Sequence, residues 1–420
     1  MAKHNLCLMH KDIVVAHVTY NDYGKDFTIN SIENPKHMPI GTHSPFGWMT
    51  VDVLLSRWNK TRNIPDNRPN CGKLMDKLGI TSITDLVTKS YMCSLTDAYW
   101  FKSENDIAKW DDVNFHKNGF ESNIGEMLFK DDFTVEITGV NSPDITTNGA
   151  LPKMWIQNKN DGSHWLVKQG NMLQNGITSN HEAVSEVFAS RLMKMYGIDS
   201  VQYYFTEIDG KLCCACKNFI EDDNDEFISM HNEAQEVRGQ RKAAYQRFCD
   251  ELGLKEGTET IQGFDYLVGN GDRHLQNIGY VRDSYTLEIK GVSPCYDTGD
   301  CMGYDYHNNI AVKEPLSKLY DDSYEVTLNK ISNLNWFKNS SVTLDDIKNL
   351  YKEVARGKLD ERVINEVLSE LTKRYNRLME IVKEKENNYN HSSNNIGRFV
   401  VTRKPYEQQV RKENDIGEER

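Results

Sequence analysis

Apolar and polar residues alternate in several short stretches of the first 240 residues, and a period of two predicts β-strands. The alternation surrounds residues 12–16 and 27–29 and returns at residues 133–137. Two further pairs of strand-like runs are each joined by an Asp-Gly turn, and these four runs are 154–156, 165–168, 201–208 and 211–220. The pattern therefore predicts two strand-rich segments in the first half of the chain.

A helical period of apolar residues lies between the two pairs of strand-like runs. From Asn180 to Tyr196 an apolar stripe recurs at helical spacing. Its members are Val184, Val187, Phe188, Leu192 and Met195. Gly197 follows, and glycine commonly ends a helix in the left-handed conformation. The pattern predicts a long amphipathic helix that stops at Gly197.

The order of these patterns divides the chain into four parts. Residues 1–130 form an accessory region with a small β element and a helical part rich in tryptophan, which we assign to packing. Residues 131–240 form a small β-rich lobe, and residues 241–385 form a helical lobe that ends in two helices. Residues 386–420 are predicted to be a polar, mobile tail. The predicted fold class is α+β, with two lobes and an additional N-terminal region.

Composition and charge argue against several classes of protein. Hydrophobic residues make up 38% of the chain, which is enough to build folded cores. A net charge of −12 argues against direct nucleic-acid binding, because neutralising phosphates requires a basic surface. The 9 cysteines lack the spacing of a disulfide framework or a zinc site, and no apolar run approaches the about 18 residues of a membrane span. We therefore expect a cytoplasmic protein that does not bind membranes.

The densest group of chemically active residues lies in the segments NGDRHLQNIG and SPCYDTGD. Asp272 and Asn277 are five residues apart, and Asp297 follows after two strand-like runs. Phosphoryl transfer from ATP needs a carboxylate that orients the attacking hydroxyl and oxygen ligands for magnesium, and protein kinases use this Asp-to-Asn spacing. We therefore predict Asp272 as the catalytic residue and Asn277 and Asp297 as magnesium ligands. His274 is assigned a supporting role in holding the loop.

Upstream residues supply the other parts that such a reaction needs. Lys168 ends the apolar run WLVK, the position of a strand lysine that contacts ATP phosphates. Glu186, at the middle of the predicted helix, is the preferred partner of this lysine, because Glu182 lies where a carboxylate complements the helix dipole. The loop 139–153 contains Gly149 and has backbone N–H groups that can cover phosphates, although an ordinary surface loop stays an alternative.

Together these motifs resemble the HipA-like serine/threonine kinases, a bacterial group related in fold to protein kinases. The resemblance covers residues 139–299 and rests on GALPK, WLVK, NHEAVSEVFASRLMKMYGI, KNFI, GNGDRHLQNIG and PCYDTG. It implies the cofactors ATP and Mg²⁺, and a hinge at Lys217, Phe219 and Ile220 whose backbone meets adenine. It also implies that a serine of the Gly-rich loop is autophosphorylated, with Ser142 as the candidate. The first 130 residues resemble only loosely the small β domain of HipA toxins.

Several functions stay open at this point. The resemblance implies a protein substrate and, for a toxin, an antitoxin or regulatory partner, but the sequence identifies neither. A pseudokinase scaffold would bind ATP without turnover, although the kinase residues are all present in the required order. A kinase for a small molecule or a lipid is poorly distinguished by sequence. A metal-dependent hydrolase that uses Asp272, His274 and Asp297 would need further histidine ligands at tight spacing.

Overall fold

The computed structural model describes residues 2–42, 49–120, 123–137, 139–173, 176–234, 241–305, 310–311, 316–319 and 322–396. The strands are β1 (Lys3–His10), β2 (Ile13–Asn21), β3 (Asp26–Ile32), β4 (Tyr99–Ser103), β5 (Lys153–Gln157), β6 (His164–Gln169), β7 (Tyr203–Ile208), β8 (Lys211–Lys217), β9 (Asp225–Ser229), β10 (Gly279–Asp283), β11 (Ile289–Val292), β12 (Tyr304–Asp305), β13 (Ile310–Ala311), β14 (Leu316–Ser317) and β15 (Asp322–Ser323). The helices are α1 (Val51–Arg62), α2 (Cys71–Leu78), α3 (Trp110–Val113), α4 (Asn123–Lys130), α5 (His181–Tyr196), α6 (Met230–Glu233), α7 (Arg241–Glu251), α8 (Lys255–Val268), α9 (Tyr324–Lys330), α10 (Asn335–Lys338), α11 (Leu344–Ala355) and α12 (Glu361–Ile396).

An antiparallel sheet in the strand order β3-β2-β1-β4 forms much of the N-terminal part. Leu6, Leu8 and Val18 are buried on it, as the alternation of apolar residues predicts. Strand β4 lies where the sequence predicts only irregular helical structure, so that prediction is wrong for Tyr99–Ser103. Because β4 pairs with β1 from the start of the chain, its strand conformation depends on a distant partner.

The tryptophans of this part pack into the interior, as predicted. Trp58, Trp100 and Trp110 are at most 3% exposed. Trp100 and Trp110 share one hydrophobic cluster, and Trp58 belongs to the cluster beneath the N-terminal sheet. Trp48 lies outside the described residues. These side chains stabilise the accessory region by burying large apolar areas.

A second antiparallel sheet has the order β5-β6-β8-β7, and its four strands confirm the four predicted runs. Asp209 and Gly210 join β7 to β8 with φ angles of 51° and 71°, which a two-residue hairpin of this hand requires. Helix α5 packs against this sheet and is followed by Gly197, whose φ of 69° confirms the predicted stop. The cysteines of β8 are buried and unpaired, as expected for strand residues.

The predicted strand at residues 133–137 is wrong. This segment forms no strand in the structure. Its carbonyl groups are satisfied by a side chain instead, because Lys77 Nζ donates to Phe133 O at 2.6 Å and to Val135 O at 2.5 Å. An alternating apolar pattern therefore does not suffice where a side chain takes the place of a neighbouring strand.

The part beyond residue 240 is mostly helical, as predicted. A three-stranded sheet in the order β11-β10-β9 precedes the last helices. Its strands β10 and β11 are the two strand-like runs predicted before Asp297, whereas β9 is not predicted. Helix α12 continues to Ile396, so the predicted tail begins later than residue 386, and residues 397–420 lie outside the described part. Among the helices that the structure describes, none has the length and apolarity needed to cross a membrane.

A buried carboxylate joins the N-terminal sheet to the sheet of β9 and β10. Glu226 is 0% exposed and accepts hydrogen bonds from Arg282 Nε at 2.7 Å and from the Ala98 N–H at 3.3 Å. His10 Nε2 lies 3.1 Å from the same carboxylate. Burial alone would raise the pKa of Glu226, but His10 and Arg282 lower it to about 2. The carboxylate is therefore charged and fully partnered in the folded protein.

We expect Glu226→Gln to lower the free energy of unfolding by about 3–5 kcal/mol, because Arg282 is left buried without its counter-charge. Since folding lowers the pKa of Glu226, the contribution is complete above its usual pKa near 4.5 and is lost as the pH falls toward 2. Urea unfolding at pH 7 measures the effect.

The matched control for this prediction is Glu353→Gln. Glu353 also pairs with an arginine, Arg191 at 3.1 Å, but its side chain is 71% exposed. The control is expected to change the free energy of unfolding by less than about 0.5 kcal/mol. Equal effects of the two substitutions would contradict a special role for the buried cluster.

Candidate active site

A cavity of about 800 Å³ is lined by residues of β5, β6, β8 and α5, by the loops after α8 and β11, and by residues of the N-terminal part. Most of the residues singled out from the sequence line it. They are Gly149, Lys168, Glu186, Lys217, Phe219, Asp272, His274, Asn277 and Asp297. The structure therefore brings together side chains from distant parts of the chain.

Lys168 lies at the centre of an ion-pair network in which Lys168 and Glu186 are buried and Asp297 is partly exposed. Its Nζ is 2.7 Å from Glu186 Oε1 and 2.6 Å from Asp297 Oδ1, and it donates to Tyr203 OH at 3.3 Å. Burial would lower the pKa of Lys168, but Asp297 and Glu186 raise it well above its usual value. The lysine is therefore a fixed cation that links β6, α5 and the loop after β11.

The choice between the two helix glutamates is settled by their contacts. Glu186 Oε1 holds Lys168, while its Oε2 accepts from the Thr298 N–H at 2.8 Å and from Thr298 Oγ1 at 2.7 Å. Glu182 instead accepts from the backbone N–H of Asn171 at 2.9 Å. Glu186 thus fixes both the lysine and the segment that carries Asp297.

A buried arginine braces the loop that contains Asp272. Arg273 is 1% exposed and forms an ion pair with Asp265 of α8, with 2.9 Å between Nε and Oδ2. Its Nη1 donates to Asn277 O at 2.8 Å and to Tyr296 O at 2.6 Å. Arg273 therefore ties the Asp272 loop to α8 and to the segment next to Asp297.

The side chain of Asp272 lies at the edge of the cavity. Its carboxylate pairs with Lys318, and its backbone N–H donates to Asn270 Oδ1 at 3.0 Å. Asn277 Nδ2 donates to Asp272 O at 3.4 Å, which leaves the amide oxygen of Asn277 available as a ligand. His274 Nδ1 accepts from the Gln276 N–H at 3.2 Å, a contact within the loop.

Carboxylates concentrate negative charge on one side of the cavity. Asp297 has a φ of 58°, a left-handed conformation that is uncommon for a residue with a side chain. Lys168 and Lys153 hold the pKa of Asp297 well below its usual range, against the effect of burial. Burial and the nearby Asp272 raise the pKa of Asp300 to about 7. This arrangement attracts cations.

The donor set fits a magnesium ion that shares its coordination with a nucleotide. Across the parts of the chain that the structure describes, no three His, Cys, Asp or Glu side chains lie close enough to hold a metal ion alone. Magnesium, however, usually takes one or two protein oxygens together with phosphates and water. Asn277 and Asp297 supply such oxygens from the wall of the cavity.

The loop before β5 is held in place by hydrogen bonds with the N-terminal part. Arg68, which is 2% exposed, donates from Nε to Gly149 O at 2.9 Å and from Nη2 to Thr147 O. Thr146 Oγ1 donates to Cys93 O at 2.8 Å. Gly149 has a φ of 102°, which favours glycine. The conformation of the loop therefore depends on residues of the accessory region.

Two predicted site residues lie apart from the cavity. Ile220 is 1% exposed and is not part of the cavity lining, so the predicted adenine contact is retained only for Lys217 and Phe219. Ser142 is 0% exposed and its Oγ donates to Asp144 Oδ2 at 2.9 Å. A kinase can reach Ser142 only after the loop has opened.

Sequence reasoning passes over Lys153, Arg68 and Asp265. Lys153 has a signal, because the turn at residues 160–162 sets the register that places it opposite Lys168 in the hairpin. The sequence contains no signal for Arg68, because its acceptors lie about 80 residues further along the chain. Asp265 looks like an ordinary helix residue until Arg273 is seen beside it.

Comparison with known proteins identifies the region that holds these residues. Residues 145–377, more than half of the chain, match the model of the family described as HipA-like C-terminal domain. No curated protein gives a significant match to the chain.

Two solved structures are similar to this chain. One is HipA of Shewanella oneidensis MR-1, in a toxin–antitoxin complex with HipB and operator DNA. It is 12% identical, covers 91% of this chain and 99% of its own, and has a TM-score of 0.55. The other is the proinflammatory kinase CtkA of Helicobacter pylori, with 18% identity, 55% and 95% coverage and a TM-score of 0.42. The likeness to HipA shows the fold, a mixed arrangement of strands and helices as expected, while the division into two lobes stays a prediction.

Proposed function

The chain belongs to the HipA-like family, and on this premise we propose that it is an ATP- and magnesium-dependent serine/threonine protein kinase. One observation carries the proposal. The ion-pair network of Lys168, Glu186 and Asp297 lines the same cavity as Asp272 and Asn277. A carboxylate, oxygen ligands for a metal ion and a fixed cation are the parts that phosphoryl transfer requires.

In the proposed reaction a substrate hydroxyl attacks the γ-phosphorus of ATP. The new O–P bond forms as the bond to the β–γ bridging oxygen breaks, and ADP leaves with that oxygen. Asp272 orients the hydroxyl and accepts its proton. Lys168 and Glu186 keep the segment of Asp297 in place. Magnesium, held by Asn277 and Asp297, would neutralise phosphate charge.

The predicted hinge gives the cavity an apolar end. Phe219 stacks on Tyr296 with 5.6 Å between ring centroids, and both residues line the cavity. We assign this end to adenine, with the backbone of Lys217 and Phe219 as its polar contact. The second sheet with α5 and the helices beyond residue 240 then form the two lobes around the nucleotide.

The biological setting follows from the family only as a proposal. HipA of Shewanella oneidensis occurs with HipB and operator DNA. We propose by analogy that this chain phosphorylates a protein and binds an antitoxin-like or other regulatory protein, and that it can autophosphorylate. A cytoplasmic location and the lack of direct nucleic-acid contact stay predictions, as do the domain boundaries at 130 and 240.

The test is incubation of the full chain with γ-labelled ATP, with magnesium or with EDTA. Transfer of label to the protein, or a mass gain of one phosphate, is expected in the presence of magnesium and not in EDTA. Calorimetry measures ATP binding separately. If ATP binds but neither label transfer nor ADP release occurs, a pseudokinase is favoured. Failure to bind ATP at all would contradict the proposed function.

The accessory region is expected to support nucleotide binding through Arg68. Arg68→Met removes the donors to Thr147 O and Gly149 O and frees the loop. We expect the KM for ATP to rise about tenfold with a smaller change in kcat, since a displaced loop weakens binding of phosphates. Steady-state ADP release measures both constants.

The control for this prediction is Arg57→Met, which removes an exposed arginine of α1. It is expected to leave both constants unchanged. If Arg68→Met behaves like Arg57→Met, the loop does not depend on the N-terminal part for its function.

A further inference from the structure

Two histidines meet in a second, smaller cavity next to the predicted hinge. His116 follows α3 in the accessory region, and His164 is the first residue of β6. Both line a cavity of about 440 Å³, whose wall shares Lys217 and Asn218 with the larger cavity. The ring centroids of the two histidines are 5.6 Å apart, and the ring planes cross at 89°. The pair therefore adjoins the hinge in a space of its own.

One nitrogen of each ring is held by the backbone. A ring N–H of His116 donates to the carbonyl group of Glu221, and one of His164 donates to the carbonyl group of Phe115. The Asn218 N–H donates in turn to His164 O at 2.8 Å. These contacts fix the orientation of both rings and leave the other nitrogen of each ring as an acceptor.

Those other nitrogens have no hydrogen-bond partner. His116 Nδ1 and His164 Nε2 are both buried, and neither is bonded to any residue that the structure describes. His164 as a whole is only 5% exposed. A buried acceptor without a donor is unfavourable. Two such lone pairs in one small cavity point to a ligand that takes up both of them.

Both histidines are in the neutral form at pH 7. Burial lowers the pKa of His116 to about 4, with His164 acting in the same direction and the carboxylates of Asp223 and Asp222 opposing them. Burial also lowers the pKa of His164. Neutral imidazole is the form that binds a metal ion, so neither ring has to lose a proton first.

The spacing of the rings suits a shared metal ion. Two imidazoles bound to one tetrahedral zinc ion through bonds of about 2.0 Å have ring centres about 5 to 6 Å apart. The observed 5.6 Å falls in this range. Metal-bound histidines usually donate their other N–H to a carbonyl or carboxylate group, as both rings do here. Imidazole ligands favour zinc and its transition-metal neighbours over magnesium.

The protein supplies only part of the coordination. In the described ranges no third His, Cys, Asp or Glu side chain completes a metal site. Gln157 lies opposite His164 in the hairpin of β5 and β6 and lines the same cavity. Directly opposite residues share one face of a sheet, so the amide oxygen of Gln157 is the nearest candidate for a further ligand besides water.

We propose that His116 Nδ1 and His164 Nε2 bind a zinc ion, in an open site that water or Gln157 completes. The ion joins the segment after α3 to β6 and to the hinge, because both rings also contact the backbone there. This inference does not depend on the proposed function, since neither histidine lines the nucleotide cavity.

The test is titration of the full chain with zinc chloride, followed by calorimetry without nucleotide or chelator. His116→Gln and His164→Asn each keep an amide N–H near the nitrogen that donates to the backbone and remove the free nitrogen. Each is expected to weaken zinc binding about tenfold or more, because one of two protein ligands is lost. His4→Asn changes a histidine of β1 outside this cavity and should leave zinc binding unchanged.

A measurement on the unaltered protein covers the case in which a variant fails to fold. X-ray absorption at the zinc edge is expected to show two imidazole nitrogens at about 2.0 Å together with oxygen ligands. Sulfur ligands, or oxygen ligands alone, would overturn the assignment, since the zinc would then lie at cysteines or at carboxylates. Equal zinc binding by the two variants and the control would also overturn it. No zinc binding by the unaltered chain would show that water alone satisfies the two nitrogens and that the proposal is wrong.

Discussion

Asp272→Asn is expected to lower the rate of phosphoryl transfer by about 10²- to 10⁴-fold, the contribution typical of a positioned general base. Asparagine has nearly the same size as aspartate, so the loop braced by Arg273 should keep its conformation. The substitution removes the one property that the reaction needs at this position, a carboxylate that accepts the proton of the hydroxyl.

The affinity of Asp272→Asn for ATP should increase or stay unchanged. Asp272 and Asp300 line the cavity together, and the pKa of Asp300 is raised to about 7 by burial and by Asp272. Removing one negative charge reduces repulsion of the phosphates. A large fall in turnover with an undiminished affinity for ATP is therefore the signature of a catalytic carboxylate. Calorimetry and label transfer from γ-labelled ATP measure the two quantities.

Two further variants separate catalysis from the ion pair with Lys318. Lys318→Met breaks the same pair but keeps the carboxylate, so it should lose much less turnover than Asp272→Asn. Asp111→Asn breaks the pair with Lys117 at 2.6 Å, where the Asp111 side chain is 69% exposed, and should have no effect. Turnover by Asp272→Asn at the rate of the unaltered protein would show that the catalytic residue lies elsewhere.

The second sheet and its helix could be predicted because their signals are local. The Asp209-Gly210 turn, the apolar period of α5 and the stop at Gly197 each depend on a few neighbouring residues. The approach of Lys168 to Glu186 follows from the order of strand and helix. Segments with local turn chemistry and a single period are therefore the ones for which sequence reasoning works.

Features that depend on distant partners could not be predicted. Strand β4 forms because β1 lies beside it, and the segment at 133–137 is no strand because Lys77 takes its carbonyl groups. Arg68 joins the site only because the accessory region folds beneath the loop of Gly149. Lys153 was accessible in principle through hairpin register, but its burial is visible only in three dimensions.

Asp297→Asn is expected to abolish the magnesium dependence of ATP binding and to lower phosphoryl transfer by about 10³-fold, which corresponds to about 4 kcal/mol of transition-state stabilisation. Asparagine tolerates the left-handed conformation of this residue, whose φ is 58°, so backbone strain is not a complication. The variant retains an oxygen at the position but loses the charge that a hard divalent cation prefers.

The effect of Asp297→Asn on ATP affinity is expected to differ in sign with and without magnesium, which makes the prediction more specific. Asp297 pairs with Lys168 at 2.6 Å and adds negative charge where phosphates would bind. In EDTA, Asp297→Asn should therefore bind ATP at least as well as the unaltered protein, whereas with magnesium it should bind about tenfold more weakly, a difference of about 1.4 kcal/mol. Calorimetry under both conditions measures this crossover. Asp209→Asn is the control, since Asp209 is also left-handed, with a φ of 51°, but is exposed in a hairpin turn. If magnesium strengthens ATP binding equally in Asp297→Asn and in the control, Asp297 does not bind the metal.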